Sequence, residues 1–266
     1  MKIYISADIE GVAGITHRDE IMKEHPSYGE FRDRMTNEVV AACEGAIEAG
    51  ASDILIQDAH GTGRNILAEQ LPSCTRLIRG WSGHPFDMVQ ELDKTFDAVI
   101  CVGYHSKAGS DGSPLAHTLN GAKVAKIEVN GEIASEFLIH AYAAASVGVP
   151  VAFLSGDAQI CRDALLYDAN IHAVEVSQGV GASTISIAPI LSRQLIKAGV
   201  TAALKGDLRR YRMTMPEHFK LQMTYVGAGT AYRASWYPGM HRVGPLSVNF
   251  ESTEYFEILR ALCFVS

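Results

Sequence analysis

The sequence has few of the features that mark secreted, membrane-spanning or disulfide-bonded proteins. Its 266 residues contain no CxxC pair, and the five cysteines are odd in number and scattered along the chain (Cys43, Cys74, Cys101, Cys161 and Cys263), which is typical of reduced thiols in the cytoplasm. No apolar run approaches the roughly 20 residues that a membrane helix needs. The N-terminal segment also lacks the basic, apolar and small-residue regions of a signal peptide. We therefore expect a cytoplasmic protein with no membrane partner.

Positive charge is scarce as well. The chain has 23 lysines and arginines against 30 aspartates and glutamates, a net charge of −7. Nucleic-acid-binding proteins usually carry a basic face, so we expect no nucleic-acid partner. The glycine-containing segment DIEGVAG near the N-terminus matches neither GxxxxGK[ST] nor GxGxxG, the spacings of phosphate-binding loops.

Apolar, strand-like runs alternate with helical patterns through the first 160 residues. Four runs read as buried strands, namely KIYISADIE, SDILIQDAHG, DAVICVGYHS and VPVAFLSGD, and the segment KIEVNGEIA carries the hairpin signal Asn130-Gly131. Such alternation predicts an α/β fold with βαβ units and a mostly parallel sheet. After Asp157 the pattern is less regular and predicts a basic, solvated linker near residue 210, further strands and a last helix. We therefore predict an α/β domain over residues 1–170 and a smaller α+β domain over residues 171–266.

The ends of the predicted strands carry the residues that point to chemistry. In open α/β sheets, ligands bind beyond the carboxyl ends of the strands, and those ends here hold Asp8, Glu10, His60 and His105. Residues two apart in an extended chain point to the same side, so Asp8 and Glu10 should present their carboxylates together. Two such carboxylates repel unless a cation lies between them, and imidazoles with carboxylates suit zinc or a related divalent ion. The alternative is that the two acidic residues merely cap a turn.

Other polar residues give weaker signals. His117 lies in a loop bordered by proline and glycine soon after His105, where loops often contribute catalytic groups, although a lone loop histidine is more often a surface residue. Glu136 begins a predicted helix, where an acidic side chain favours the helix dipole. By pattern alone, Asp58 and Asp157 read as turn or cap residues and His140 as a packed helix residue.

Several stretches in order resemble the bacterial zinc-dependent D-aminopeptidases associated with dipeptide-transport operons. The matching stretches are DIEGVAG, DAHG at 58–61, GYHS at 103–106, AHTLNG at 116–121, VNGEIASEFLIHAYAA at 129–144 and WYPGM at 236–240. The resemblance runs through nearly the whole chain and is looser after residue 170.

The resemblance implies a site with two zinc ions per chain. By position, Asp8 would bridge the two ions, Glu10 and His60 would complete one zinc, and His105 and Glu136 would complete the other. His117 matches the family's catalytic histidine, which is described there as a nucleophile. Beside a zinc-bound water, a proton shuttle or an oxyanion stabiliser is the more natural role for a histidine. The resemblance also implies a homo-oligomer, a decamer that encloses its active sites.

These observations favour a binuclear zinc aminopeptidase that hydrolyses short peptides or amides, with a D-amino acid expected at the N-terminus of the small peptide substrate. One alternative is another binuclear hydrolase, such as an amidase or phosphoesterase, built on the same ligands. A second is a non-enzymatic module in which the metal ions are structural. An open coordination position in an accessible cleft would speak against the second alternative, because structural zinc sites are closed.

Overall fold

The computed structural model describes all 266 residues, which form twelve strands and seven helices. The strands are β1 (Lys2–Ala7), β2 (Asp53–Asp58), β3 (Thr75–Ile78), β4 (Ala98–Tyr104), β5 (Val124–Val129), β6 (Glu132–Ile133), β7 (Val151–Asp157), β8 (His172–Val180), β9 (Ser183–Ser186), β10 (Phe219–Tyr225), β11 (His241–Arg242) and β12 (Ser247–Ser252). The helices are α1 (Arg18–Ile21), α2 (Tyr28–Glu48), α3 (Glu136–Ser146), α4 (Ala158–Tyr167), α5 (Pro189–Lys205), α6 (Ala228–Ala234) and α7 (Tyr255–Val265). No helix is long and apolar enough to cross a membrane.

A seven-stranded sheet forms the centre of the α/β architecture predicted from the sequence. Its order is β3-β2-β1-β4-β7-β8-β9, and every neighbouring pair is parallel except the β8–β9 hairpin at the edge. Strands β1, β4 and β7 are almost entirely buried, as expected for parallel strands covered on both faces. The predicted fold class is therefore confirmed.

Alternate side chains of the central strands contribute to two different cores. Ile3 and Ile5 of β1 pack with α2 and α5 on one face of the sheet. Tyr4, between them, belongs to the core on the other face, with residues of α3, α7 and the second sheet. This division follows from the two-residue period of a strand, which sends successive side chains to opposite faces.

A second, antiparallel sheet packs on the face that Tyr4 occupies. Its order is β11-β12-β10-β5-β6, and β5 joins β6 through Asn130 and Gly131, which have φ values of 54° and 86°. Positive φ at both central residues is the geometry of a type I′ turn, so the predicted hairpin is present.

Neither sheet stops at residue 170. Strands β8 and β9 come from the later part of the chain and extend the large sheet, whereas β5 and β6 come from the earlier part and join the second sheet. The predicted boundary therefore does not separate the two sheets, although the division into folding units stays a prediction. The basic segment near residue 210 also differs from a solvated linker, because Tyr211 is buried and its hydroxyl donates to the carbonyl of Ala203.

Candidate functional site

The polar residues predicted at the strand ends meet at the point where the strand order of the large sheet reverses. Strand β1 lies between β2 and β4. The chain adds β2 and β3 on one side of β1, and then crosses over to add β4 and β7 on the other side. Such a switch point leaves a crevice beyond the carboxyl ends of the strands. Asp8 and Glu10 follow β1, His60 follows β2 and His105 follows β4, which places all four at this crevice.

Asp8 and Glu10 converge through a turn rather than through strand alternation. Strand β1 ends at Ala7, and Asp8 still donates its backbone N–H to the carbonyl of Val102 over 2.8 Å before the chain bends. Gly11 closes the bend against β4, where a Cβ would lie 1.8 Å from the carbonyl oxygen of Tyr104. Only glycine fits this approach, so the DIEG segment owes its glycine to packing against the neighbouring strand.

Asp8, Glu10 and His60 form the first group of possible ligands. Nδ1 of His60 lies 2.9 Å from Oε2 of Glu10 and 3.4 Å from Oδ1 of Asp8. The other ring nitrogen, Nε2, lies 3.1 Å from the carbonyl oxygen of Ile21. When Nε2 donates its proton to that carbonyl, Nδ1 presents a lone pair to the two carboxylates, as the outer hydrogen bond of a metal-binding histidine commonly arranges.

The loop that presents His60 is organised by a buried carboxylate. Asp58 accepts hydrogen bonds from the backbone N–H groups of Asn65 (2.6 Å) and Ile66 (2.7 Å), and from the Asn65 side chain (2.6 Å). Asn65 in turn donates to the carbonyl of His60 over 2.7 Å. The turn role predicted for Asp58 is therefore confirmed, and its effect is to hold the backbone of a site residue.

Asp8 also belongs to a second group, with His105 and Glu136. Nε2 of His105 lies 3.3 Å from Oε2 of Glu136 and 3.5 Å from Oδ2 of Asp8, while its Nδ1 lies 2.9 Å from the carbonyl oxygen of Ser106. Glu136 is the first residue of α3, whose N-cap Ser135 accepts from the N–H of Leu138. The resemblance predicted this residue, and the fold brings it into the pocket.

Asp157 secures the segment that follows β4. It is the N-cap of α4, accepting from the backbone N–H groups of Gln159 and Ile160. The same carboxylate accepts from the backbone N–H of Ser106 over 2.6 Å. Asp157 is thus the cap residue that the sequence predicted, and it also fixes the backbone beside His105.

His117 lies against the second group. Its ring stacks on that of His105 with centroids 4.3 Å apart and an interplanar angle of 14°, and Nε2 lies 3.7 Å from Oε1 of Glu136. Nδ1 lies 2.9 Å from the carbonyl oxygen of Leu115. With the proton on Nδ1, Nε2 faces the pocket. The His117 side chain is 26% exposed, so it borders both the buried carboxylates and the open pocket.

The charges of these side chains are not balanced by any lysine or arginine. Burial raises the pKa of Asp8 well above its ordinary value, and the charge of Glu10 raises it further. Burial lowers the pKa values of His60 and His105, but Glu10 and Glu136 respectively raise them well above 6.5. Burial also disfavours ionised Glu136, yet His105 holds the pKa of Glu136 at about 2. The carboxylates therefore require positive charge, which protons on the imidazoles or a metal cation can supply.

The donor set fits metal ions. Asp8 with Glu10 and His60, Asp8 with His105 and Glu136, and Glu10 with His105 and His117 each place their ligand atoms within 4.8 Å of one another. Oε2 of Glu10 and Nε2 of His105 are buried without a hydrogen-bond partner, even though both lie close to other donor atoms. A shared cation can bind several lone pairs that converge without hydrogen-bonding to each other. Carboxylates together with imidazoles are a set of ligands that binds zinc.

The donors lie at the base of a pocket of about 300 Å³. Its walls include Trp81, Asp87, Met88, Leu119 and Asn120. Trp81 is held by its indole N–H, which donates to the carbonyl of Gly61 over 2.8 Å. A larger cavity of about 370 Å³ lies elsewhere, lined mainly by apolar residues between α3 and the 208–213 segment, but it contains no group of possible metal ligands.

Sequence reasoning missed the wall of the pocket and the residues that support it. Asp87 lies in FDMVQEL, a segment whose pattern predicts a helix, whereas the structure has only the 3₁₀ turn Asp87–Val89 there. Trp81 lies in the loop after β3. His140 is packed, as expected, and His17 and His25 are exposed residues on either side of α1. No local pattern distinguishes Asp87 from an ordinary acidic surface residue, because its position depends on contacts with α3 and α7.

The fold and this donor set together define an α/β metallohydrolase. The chain belongs to the D-aminopeptidase family of peptidases (family M55), whose sequence model matches residues 1–264. It is 27% identical over 264 residues to a D-aminopeptidase from Bacillus subtilis, an alignment that covers 98% of this chain and 95% of the relative.

A solved structure shows the same likeness. The Zn-dependent D-aminopeptidase DppA from Bacillus subtilis, described as a self-compartmentalizing protease, superimposes with a TM-score of 0.91 at 26% identity. The match covers 98% of this chain and 95% of that protein. The resemblance inferred from the sequence motifs is therefore confirmed at the level of the family.

Proposed function

We propose that this protein is a binuclear zinc aminopeptidase that removes N-terminal D-amino acids from short peptides or amides. The observation that carries the proposal is the pair of donor groups that share Asp8 at the base of an open pocket. Two zinc ions per chain would be held by Asp8, Glu10 and His60 on one side and by Asp8, His105 and Glu136 on the other. The D-preference is supported by the names of the family and of both relatives.

Zinc ions, when bound, supply a Lewis acid for the scissile carbonyl and lower the pKa of water toward neutrality. The protein's own residues supply position and proton transfer. The Ile21 and Ser106 carbonyls orient the rings of His60 and His105, respectively. The carboxylate of Asp8 would offset positive charge in both donor groups. His117 presents Nε2 to the pocket, so it is placed to move a proton or to stabilise developing negative charge on the substrate.

The pocket separates this proposal from a structural metal module. Structural zinc sites are closed by four protein ligands, whereas each group here offers three donors beside a pocket with room for a small substrate. A pocket of about 300 Å³ suits a dipeptide or an aminoacyl amide better than a folded polypeptide.

Metal analysis coupled to a substrate panel tests the function. We expect about two zinc ions per chain and faster hydrolysis of D-alanyl dipeptides and amides than of their L-isomers or of phosphate esters. A protein that holds two zinc ions yet cleaves none of the aminoacyl compounds would contradict the proposal. Faster turnover of phosphate esters would favour the rival binuclear phosphoesterase, and cleavage restricted to amides would favour the amidase.

The proposal extends to assembly and location. We propose a closed homo-oligomer, a decamer by resemblance, supported by the description of the structural relative as self-compartmentalizing and by exposed apolar side chains at Leu166, Ile185, Trp236 and Phe264. Five cysteines without a disulfide support a cytoplasmic location. Light scattering coupled to size exclusion tests assembly, and a fully active monomer at micromolar concentration would refute it.

A further inference from the structure

The pocket contains a carboxylate that the proposed ligand set does not use. Asp87 lines the same pocket as Asp8 and Glu136. It is absent from all three groups of side chains whose ligand atoms lie within 4.8 Å of one another. Asp87 therefore lies in the wall of this pocket but outside the ligand groups.

The backbone at Asp87 adopts a conformation that most residues avoid. Its φ is 46°, in the left-handed region, at the start of the 3₁₀ turn Asp87–Val89. Aspartate tolerates this region better than most side chains do, but glycine occupies it without steric cost. Strained backbone of this kind is concentrated at functional sites, and here it presents the side chain to the pocket.

No cationic side chain forms an ion pair with Asp87. Burial raises the pKa of Asp87, His140 opposes that effect and Glu136 adds to it, and no hydrogen bond contributes. No lysine, arginine or histidine nitrogen lies within 4.0 Å of its carboxylate, as it does for Asp8, Glu10 and Glu136. A partly buried carboxylate without a cationic partner is costly unless a ligand brings the missing charge.

His140 supports one side of this carboxylate without neutralising it. The two residues line a small cavity of about 10 Å³, which is room for one water molecule. Nδ1 of His140 lies 2.7 Å from the carbonyl oxygen of Glu136, and Nε2 is buried with no partner. With the Nδ1 proton donated to that carbonyl, Nε2 carries no proton and can only accept.

We propose that Asp87 binds the α-ammonium group of the substrate and thereby restricts the enzyme to free amino termini. This rests on the proposed function, because an aminopeptidase substrate carries its ammonium group two bonds from the scissile carbonyl carbon. Asp87 lines the same pocket as the ligand groups but belongs to none of them, so its carboxylate is free to meet an ammonium group while the carbonyl approaches the metal site. The charge-assisted hydrogen bond between them supplies both affinity and orientation.

Two variants and two substrates test the assignment. Asp87→Asn keeps the shape and removes the charge, while Asp87→Gly removes the side chain and suits the left-handed backbone. Glu91→Gln is the matched control, because Glu91 lies in the same segment at a φ of 62° but is exposed and outside the pocket. D-Alanyl anilide is compared with propionyl anilide, which lacks only the amino group, and zinc content is measured for every variant.

We expect both Asp87 variants to keep wild-type zinc content and to lose about 10- to 100-fold in kcat/KM for D-alanyl anilide, the range for a hydrogen bond to a charged group. The much slower cleavage of propionyl anilide should not change, so the ratio of kcat/KM between the two anilides should fall by the same factor. Glu91→Gln should keep the wild-type ratio.

Equal losses on both substrates, an unchanged preference, or lost zinc would each overturn the assignment of Asp87. If Asp87→Asn fails to fold, Asp87→Gly decides. A wild-type protein that cleaves neither D-alanyl anilide nor any other aminoacyl compound would instead refute the proposed function itself.

Discussion

Glu38 lies beneath the segment that carries Asp8 and Glu10, and its buried carboxyl group permits a quantitative test. Its Oε1 accepts from the backbone N–H of Ala13 over 3.1 Å and from the hydroxyl of Ser192 over 2.6 Å. Its Oε2 is buried without a partner. Burial raises the pKa of Glu38 from 4.5 to about 7, although Ser192 and Ala13 partly oppose that effect. The folded protein therefore holds a proton that the unfolded chain releases.

The sign and size of the effect follow from linkage. Because the folded pKa is the higher one, stability from this group is fully present below pH 4.5 and is lost as the pH rises through about 7. At about 1.4 kcal/mol for each pH unit between the two pKa values, the loss is about 3 kcal/mol. Glu38→Gln keeps an oxygen for Ala13 and Ser192 and cannot ionise, so it should escape this loss.

Denaturant unfolding followed by circular dichroism between pH 4.5 and 8 measures the difference. The free energy of unfolding of Glu38→Gln minus that of wild type should rise by about 3 kcal/mol across this range, whatever its starting value. Glu48→Gln is the matched control, since it removes a carboxylate from an exposed position on the same helix. If the free energy of unfolding of Glu38→Gln minus that of wild type does not change with pH, or falls as the pH rises, the reasoning is refuted.

Three further variants test the site. Asp8→Ala should lower zinc content more than any other single ligand change, because one of its carboxylate oxygens faces His60 and the other faces His105; two zinc ions retained at full occupancy would show that it does not bridge. His117→Ala should keep its zinc and its fold yet lose roughly 10²- to 10⁴-fold in kcat, and wild-type turnover would remove His117 from the mechanism. Asp58→Ala should cost about 3 kcal/mol or more of unfolding free energy, by orphaning three buried donors, and should weaken zinc binding at His60. Asp53→Ala, at the exposed start of the same strand, should cost less than about 1 kcal/mol, and equal costs would contradict the buried role of Asp58.

Local patterns in the sequence determined the central strands and the residues at their ends. A parallel strand buried on both faces must be apolar, so polar residues such as Asp8, His60 and His105 stand out as soon as each strand ends. The turn at Asn130-Gly131 was equally readable, because its left-handed backbone depends on those two residues alone. In each case the determining interaction lies within a few residues of chain.

Tertiary structure alone decided how distant segments share the site. Glu136 reads locally as a residue that favours a helix dipole, and only the packing of α3 against the sheet brings it to His105; its prediction came from resemblance to a family. Asp87 has no local signal, because its neighbours His140 and Glu136 lie about 50 residues away in the chain. The pairing of β5 with β10 likewise joins segments on both sides of residue 170. Such contacts depend on closing long loops and on complementary surfaces, which no short window of sequence contains.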